Sequence, residues 1–144
     1  MRINDTPVGI ASTWSERHAA YAAGLGTFSL NDGLITQRGI AHRVGSVVTK
    51  LRLAPTSDDR PGVLDHCLFY VDGSCTACIQ RCPAGAITSA GHDKAICSAY
   101  LDGTIAPAVA KAWGTPIPGC GLCQTKVPCE HRAPPRRRKA RSVP

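Results

Sequence analysis

The chain has 144 residues, of which eight are cysteine, and a formal net charge of +7 at pH 7. Large apolar side chains make up only about a quarter of the sequence, so apolar packing alone gives a small domain limited stability. The sequence contains neither a continuous apolar run of about 18 residues nor the apolar segment of a secretory signal. These features exclude a membrane-spanning helix, and we expect a cytoplasmic protein with reduced thiols, which disfavours a disulfide framework.

The cysteine-free residues 1–64 alternate predicted helix and strand. A capping box beginning at Thr13 and an Ala-rich stretch predict a helix to Ala23, which Gly24 ends. Apolar residues favour a strand over residues 34–36, and the alternation of apolar and polar residues predicts another over 46–53. A turn-rich linker rich in Pro, Ser and Asp follows, at residues 55–62.

Residues 65–130 contain all eight cysteines and four predicted short helices, over residues 76–81, 93–101, 107–113 and 121–126. Asp93 and Thr104 are expected to cap two of them. From residue 131 to 144 the chain carries six Arg and Lys, three Pro and no acidic residue, which predicts a disordered basic tail. This tail is expected to be solvated, with weak RNA contact through its arginines as the alternative.

The cysteine spacing indicates two metal centres, because eight thiols divide into two sets of four. The pattern is Cys67-x7-Cys75-x2-Cys78-x3-Cys82-Pro83, then Cys97, then Cys120-x2-Cys123-x5-Cys129. Two zinc sites would also use four thiolates each, but zinc ribbons draw them from two C-x2-C pairs. A dense cysteine run that ends in Cys-Pro is instead typical of two-cluster ferredoxins, where that last cysteine binds the other cluster.

Crossing of the two motifs divides the cysteines between two 4Fe-4S clusters. If each motif gives its last cysteine to the other site, the first cluster takes Cys67, Cys75, Cys78 and Cys129. The second cluster then takes Cys82, Cys97, Cys120 and Cys123. An apolar shell is expected around both clusters, from Leu68, Phe69, Ile79, Ile87, Ile96, Leu101 and Leu122.

Residues 8–130 resemble the ferredoxin-like portion of epoxyqueuosine reductases and of the related reductive dehalogenases, which are cobalamin-dependent. The resemblance rests on an ordered series of stretches: Trp14-Ser15-Glu16-Arg17, Ala22-Ala23-Gly24-Leu25-Gly26-Thr27-Phe28, Gly33-Leu34-Ile35-Thr36, Gly45-Ser46-Val47-Val48-Thr49, Gly73-Ser74-Cys75-Thr76-Ala77-Cys78, Cys82-Pro83-Ala84-Gly85-Ala86-Ile87, Cys97-Ser98-Ala99-Tyr100-Leu101 and Gly119-Cys120-Gly121-Leu122-Cys123-Gln124. It implies an α+β fold with a two-cluster ferredoxin-like domain at residues 65–130. Residues 1–64 would form part of a cobalamin-binding α/β region.

The sequence departs from the family pattern at three places. Asp72 stands where the family has a cysteine, which leaves Cys67 or Asp72 to complete the first cluster. Five residues separate Cys123 from Cys129, where the family usually has three. The family's further N-terminal portion, which encloses cobalamin and supplies the catalytic acid, has no counterpart here, so no catalytic residue is nominated.

Three functions follow from these observations. The first is one-electron transfer by two 4Fe-4S clusters toward a corrinoid, with electron donor and acceptor proteins and a corrinoid-binding polypeptide as partners. The second is an epoxyqueuosine reductase-type enzyme of tRNA queuosine modification, in which cobalamin binds if another segment completes the pocket. The third is a zinc-stabilised RNA-binding module.

Overall fold

The computed structural model describes residues 3–6, 9–54, 61–115 and 119–135. Within these ranges, short antiparallel hairpins alternate with helices, which agrees with the predicted α+β class. The strands pair as neighbours in sequence: β1 (Ile3–Thr6) with β2 (Gly9–Ser12), β3 (Gly26–Phe28) with β4 (Leu34–Thr36), and β5 (Ile87–Thr88) with β6 (Gly91–His92). Most of the predicted linker and of the predicted disordered tail, residues 55–60 and 136–144, lies outside the described residues.

Helix α1 (Glu16–Ala22) lies where the sequence predicts a helix, but it begins later than the capping box at Thr13 implies. Ser15 is the N-cap, because its backbone is extended (φ −129°) and its hydroxyl accepts a hydrogen bond from the His18 amide at 3.4 Å. Gly24 adopts a φ of +73° and its N–H donates to the Tyr21 carbonyl, so the helix ends as predicted.

Hairpin β3–β4 carries the centre of the core and confirms the strand predicted at residues 34–36. The buried apolar side chains in and after it are Leu30, Leu34, Ile35 and Ile40. The Phe28 amide donates to the Val63 carbonyl at 2.7 Å, and the Thr27 hydroxyl accepts from the His66 amide at 3.0 Å. This hairpin therefore holds the beginning of the cysteine-rich part of the chain.

The strand predicted over residues 46–53 is wrong. These residues have no regular secondary structure, and their apolar side chains are exposed, with Val48 at 98% and Val47 at 89% of full accessibility. Alternation favours a strand only where a neighbouring strand supplies hydrogen bonds and a buried face. The described residues supply neither to this segment.

The helices predicted in the cysteine-rich part are confirmed at three places, to within one residue at each end: α3 (Ala77–Arg81), α4 (Lys94–Tyr100) and α5 (Ala106–Trp113). Asp93 caps α4 as predicted, since its carboxylate accepts the amides of Ala95 and Ile96 at 2.9 and 3.0 Å. Helix α2 (Leu68–Asp72) was not predicted. None of the described helices is long and apolar enough to cross a membrane.

Two further predictions in this part need correction. Thr104 is not a cap, because the π-helical turn Leu101–Ile105 joins α4 to α5 without interruption. The helix predicted over residues 121–126 is only a 3-10 turn, Leu122–Gln124. Gly121 before it has a φ of +70° and Thr125 after it is extended, so a longer helix cannot form at either end.

Candidate metal centres

Four cysteines line a first cavity at the centre of the core, which we call the inner cavity. They are the four assigned from the sequence to the first cluster: Cys67, Cys75, Cys78 and Cys129. Cys67 is the residue before α2, Cys75 lies between α2 and α3, and Cys78 lies in α3. The remaining lining is apolar or uncharged and includes Ile35, Leu68, Phe69, Val127 and Pro134. The inner cavity is small, at about 20 Å³.

Cys129 reaches the inner cavity because hairpin β3–β4 and the residues after it hold its backbone. The Ile40 amide donates to the Cys129 carbonyl at 2.8 Å, and the Ala41 amide donates to the Glu130 carbonyl at 3.2 Å. Gly39 makes this approach possible, since a Cβ there would lie 2.1 Å from the Glu130 oxygen and its φ is +89°. The turn at Gly39 thus allows the backbone next to Cys129 to pack closely against the residues after β4.

The other four cysteines line a second, wider cavity of about 260 Å³, which we call the outer cavity. They are the set assigned to the second cluster: Cys82, Cys97, Cys120 and Cys123. Cys82 follows α3, Cys97 lies on α4, and the other two flank the turn at Gly121. The Ala86 amide donates to the Cys82 sulfur at 3.3 Å.

Asn31 lines both the inner and the outer cavity. Its side-chain amide donates to the Cys123 carbonyl at 2.7 Å, and its oxygen accepts the Gly33 amide at 3.0 Å and bonds the Ser29 hydroxyl. It is buried, with 4% of its surface exposed. Because every polar atom of this buried amide group has a partner, Asn31 fixes the wall between the two cavities.

Two thiols of the inner cavity, Cys78 and Cys129, have a raised pKa, which favours their neutral form. Burial and, after it, the nearby thiols with Cys67 first together raise the pKa of Cys78 to about 11. Burial likewise raises the pKa of Cys129 to about 12, with Cys67 as the leading neighbour. Buried thiols that repel one another when ionised are a donor set that only a cation can stabilise as thiolates.

The outer cavity shows the same effect in a milder form. Burial raises the pKa of both Cys97 and Cys123, and the other thiols of the same cavity contribute to the rise. For Cys97 the neighbours are Cys82 and Cys120, and for Cys123 they are Cys120, Cys82 and Cys97. Most of these interactions join thiols of the same cavity, but Cys123 of the outer cavity also raises the pKa of Cys78 in the inner one, so the two sets lie close enough to interact.

The donor chemistry of both cavities fits an iron-sulfur cluster, which four thiolates hold. The outer cavity has room for more than one atom, whereas 20 Å³ in the inner cavity suits about one water, so its side chains must spread to admit a cluster. In the described part of the chain, no three His, Cys, Asp or Glu side chains converge on a single-metal position.

Asp72, the alternative ligand for the first cluster, lines neither cavity. It is exposed at the end of α2, and its carboxylate accepts the Ser74 amide at 3.0 Å. Cys67, in contrast, is buried among the core side chains. Of the two candidates, the geometry favours Cys67.

The predicted apolar shell divides between the two cavities and the surface. Leu68 and Phe69 line the inner cavity, and Ile87 and Leu101 line the outer one. Ile79 packs against the core, but Ile96 and Leu122 are exposed by 46% and 37%. These two therefore do not exclude water in the way that the sequence predicts.

A third, open cavity of about 420 Å³ adjoins the outer cavity. Residues from the cysteine-free part form it, with Gln124: Ser12, Trp14, Ser15, Glu16, Arg17, Leu34, Ile40, His42, Arg43 and Val44. Arg17, Arg43 and Gln124 line both cavities and so form their common wall. The buried Nδ1 atom of His42 has no hydrogen-bond partner within the described residues.

Sequence reasoning missed the residues of these walls. Arg17 was noted only as part of a resembling stretch, while Asn31, His42 and Arg43 carry no spacing signal that links them to the cysteines. Asn31 lies 92 residues from Cys123, to whose carbonyl it donates. Such contacts follow from the tertiary fold and not from local pattern.

The chain is similar to two kinds of reductase over part of its length. It is 34% identical over 119 residues to an epoxyqueuosine reductase of Bacillus anthracis, covering 79% of this chain and 29% of that protein. An epoxyqueuosine reductase of Francisella cf. novicida is 34% identical over 125 residues, covering 83% and 33%. A tetrachloroethene reductive dehalogenase of Desulfitobacterium hafniense is 37% identical over 92 residues, covering 63% and 14%.

These similarities support the relationship to epoxyqueuosine reductases and reductive dehalogenases, both of which are named as reductases. The chain spans a third or less of the length of these relatives. No protein-family profile matches it. No solved structure matches it either.

Proposed function

We propose that the chain is an iron-sulfur electron carrier with two 4Fe-4S clusters, which passes single electrons toward a corrinoid in the open cavity. The observation that carries the proposal is the division of eight cysteines into two cavities with four thiols each. The resemblance to the reductase family, whose ferredoxin-like portion the cysteine motifs match, supports the choice of cluster. The clusters supply low-potential one-electron chemistry when bound.

The residues of this chain hold and insulate such clusters. Cys67, Cys75, Cys78 and Cys129 are the proposed ligands of the first, and Cys82, Cys97, Cys120 and Cys123 of the second. In the inner cavity, Leu68 and Phe69 exclude water, which sets the potential through the local dielectric. In the outer cavity, the Ala86 amide stabilises the negative charge on the Cys82 sulfur.

The open cavity is the proposed corrinoid side of the molecule. Trp14 provides an apolar face there, and the guanidinium groups of Arg17 and Arg43 lie at its wall with the outer cavity. Residues 46–53 leave Val47, Val48, Leu51 and Leu53 largely exposed. An exposed segment with several unburied apolar side chains is suited to pairing with a strand of a corrinoid-binding polypeptide.

Iron and acid-labile sulfide analysis tests the proposal, combined with electron paramagnetic resonance on the anaerobically reduced full chain. Two 4Fe-4S clusters require about eight iron and eight sulfide per chain. About four iron and four sulfide per chain would limit the chain to one cluster, if the Cys67→Ala variant loses them and the Asp72→Ala variant retains them. A colourless protein with about two zinc and no sulfide would overturn the proposal in favour of a zinc module.

The second candidate is an epoxyqueuosine reductase-type enzyme, which the 34% identity to reductases of that name favours. The cofactor would supply the difficult chemistry and the chain would position it at the open cavity. Cobalamin added to the cluster-loaded chain should then bind, and epoxyqueuosine in tRNA should be reduced with dithionite as donor. Binding without conversion would instead support the electron carrier.

A further inference from the structure

The inner and outer cavities differ in the permanent charge of their walls. Among the described residues, no Arg, Lys, Asp or Glu lines the inner cavity, whose one titratable side chain besides the cysteines is His66. The outer cavity is lined by Arg17 and Arg43 and by no Asp or Glu of the described residues. The two sites therefore each offer four thiols, in surroundings that differ in permanent charge.

The two guanidinium groups are fixed by neutral oxygen atoms. Arg17 donates from Nη1 to the Asp32 carbonyl at 2.6 Å. Arg43 donates from Nη1 to the His42 carbonyl at 3.3 Å and lies 3.5 Å from the Gln124 side-chain oxygen. These acceptors carry no formal charge. The Asp32 carboxylate near Arg17 offsets part of that charge, but both guanidinium groups still place positive charge at the wall of the outer cavity.

Reduction makes a thiolate-bound 4Fe-4S cluster more negative by one charge. An apolar wall raises the free energy of that extra charge, whereas nearby cations and an N–H donor to sulfur lower it. The outer cavity has both of the favourable features, in Arg17, Arg43 and the Ala86 amide.

The cavities are also arranged in sequence through the molecule. Asn31 lines the inner and outer cavities, and Arg17 and Arg43 line the outer and open ones. The outer cavity therefore lies between the inner and the open cavity. An electron that enters at the inner site reaches the open cavity by way of the outer site.

We infer that the outer site has the higher reduction potential of the two, set by Arg17 and Arg43, so that electrons pass from the inner site to the outer site. The inference rests on the proposed pair of clusters. A low-potential one-electron donor protein reduces the inner cluster, which is then reoxidised as one electron moves to the outer cluster. The arginines act on the outer cluster through their positive charge and are not iron ligands.

Potentiometric titration of the cluster-loaded full chain, followed by electron paramagnetic resonance, tests this order. Two reduction steps are expected, and Cys97→Ser should remove the one at higher potential. If Cys97→Ser fails to fold, Cys120→Ser gives the same assignment. Loss of the lower step instead would overturn the inference. An iron content near eight in the wild type keeps this outcome separate from failure of the two-cluster proposal.

Variants of the arginines test the cause. Arg43→Gln and Arg17→Gln should each move the higher step to a more negative potential and leave the lower step in place. Arg43→Lys keeps the positive charge, so its higher step should stay close to the wild-type potential. Arg38→Gln is the matched control, because Arg38 is exposed and lines none of the three cavities. Equal shifts of both steps, a shift of the lower step alone, or no shift would overturn the role of the arginines.

Discussion

The inner and outer cavities each contain four thiols but differ in size and in the charge of their walls. The inner cavity is small and surrounded by core side chains, whereas the outer cavity is more than ten times larger and has two arginines in its wall. Ligand identity therefore describes the two sites incompletely. We expect burial and charge around the sulfurs to decide how strongly each site would hold the proposed cluster and how readily that cluster would accept an electron.

The comparison assigns different structural roles to the two sites. Cys67 belongs to the buried core, and Cys78 and Cys129 pack against it, so the proposed cluster would occupy the position of a central side chain there. Of the outer cysteines, Cys82 and Cys123 also pack against the core, whereas Cys97 lies on α4 and Cys120 precedes the turn at Gly121. We expect the inner cluster to stabilise the fold and the outer cluster to exchange electrons.

Two single variants, each without one cysteine of one cavity, are expected to show the largest difference between the two sites. Cys129→Ser and Cys97→Ser should each lose about four of eight iron. Cys129→Ser should also lower the free energy of unfolding by more than about 4 kcal/mol, as expected when a metal centre leaves a core. Thermal unfolding and iron analysis measure both effects, and equal destabilisation by the two variants would remove the distinction between the sites.

Substitution of Gly39 should disturb the inner site alone. A Cβ at Gly39 would collide with the Glu130 carbonyl at a φ of +89°, so Gly39→Ala should cost about 3 kcal/mol and release iron from the inner site first. Gly45→Ala is the control, because a Cβ at Gly45 meets nothing within 4 Å. Denaturant unfolding and iron content report the result; loss of outer iron first would contradict the expectation.

Asn31→Leu should weaken both sites, because Asn31 forms their common wall. The substitution leaves the Cys123 carbonyl and the Gly33 amide without their partner, at a cost of about 2 kcal/mol. Gln37→Leu, at an exposed position, serves as the control. Denaturant unfolding measures the stability, and both electron paramagnetic resonance signals should broaden; an unchanged outer signal would show that Asn31 does not position Cys123.

Acid should remove iron from the inner site before the outer site. A thiol must lose its proton to bind iron, and a higher thiol pKa lets protons compete at higher pH. The pKa values of Cys78 and Cys129, about 11 and about 12, therefore place the loss from the inner site earlier as pH falls. The iron content of the wild type and of Cys97→Ser, each equilibrated between about pH 8 and pH 5, measures the order in which the two sites lose iron. Earlier loss from the outer site would contradict the prediction.

The smallest expected effect concerns Asp32 beside the outer cavity. Burial alone would raise the pKa of Asp32, but the hydrogen bond and charge of His92, with Lys94 and Arg17, lower it below its usual value. A carboxyl group whose pKa is lower in the folded state stabilises the fold at pH values above its unfolded pKa. This stabilisation is lost as the pH falls through the folded pKa.

Asp32→Asn should thus cost less than about 1 kcal/mol at neutral pH and nothing in strong acid, because the carboxylate is partly exposed. Asn also tolerates the positive φ of 58° at this position, so backbone strain does not enter the comparison. Urea unfolding at about pH 7 and pH 2.5 checks this. A cost that persists at the lower pH would assign the effect to packing.

The sequence was most informative where the signal was local. Cap residues placed α4, and the cysteine spacing predicted two sets of four that the fold gathers into two cavities. It was least informative where a contact spans the chain. Alternation at residues 46–53 could not reveal that the strand has no partner among the described residues, and nothing near Asn31 indicated its bond to Cys123.

The hydrogen bonds from Ile40 and Ala41 to Cys129 and Glu130 limit how this protein can be engineered. A fragment cut at residue 65 would keep all eight thiols but would lose the amides that hold Cys129 and the side chain that holds Cys123. Grafting the cysteine motifs onto another scaffold would therefore transfer the ligands without their placement. A transplantable unit has to include residues 26–41 as well.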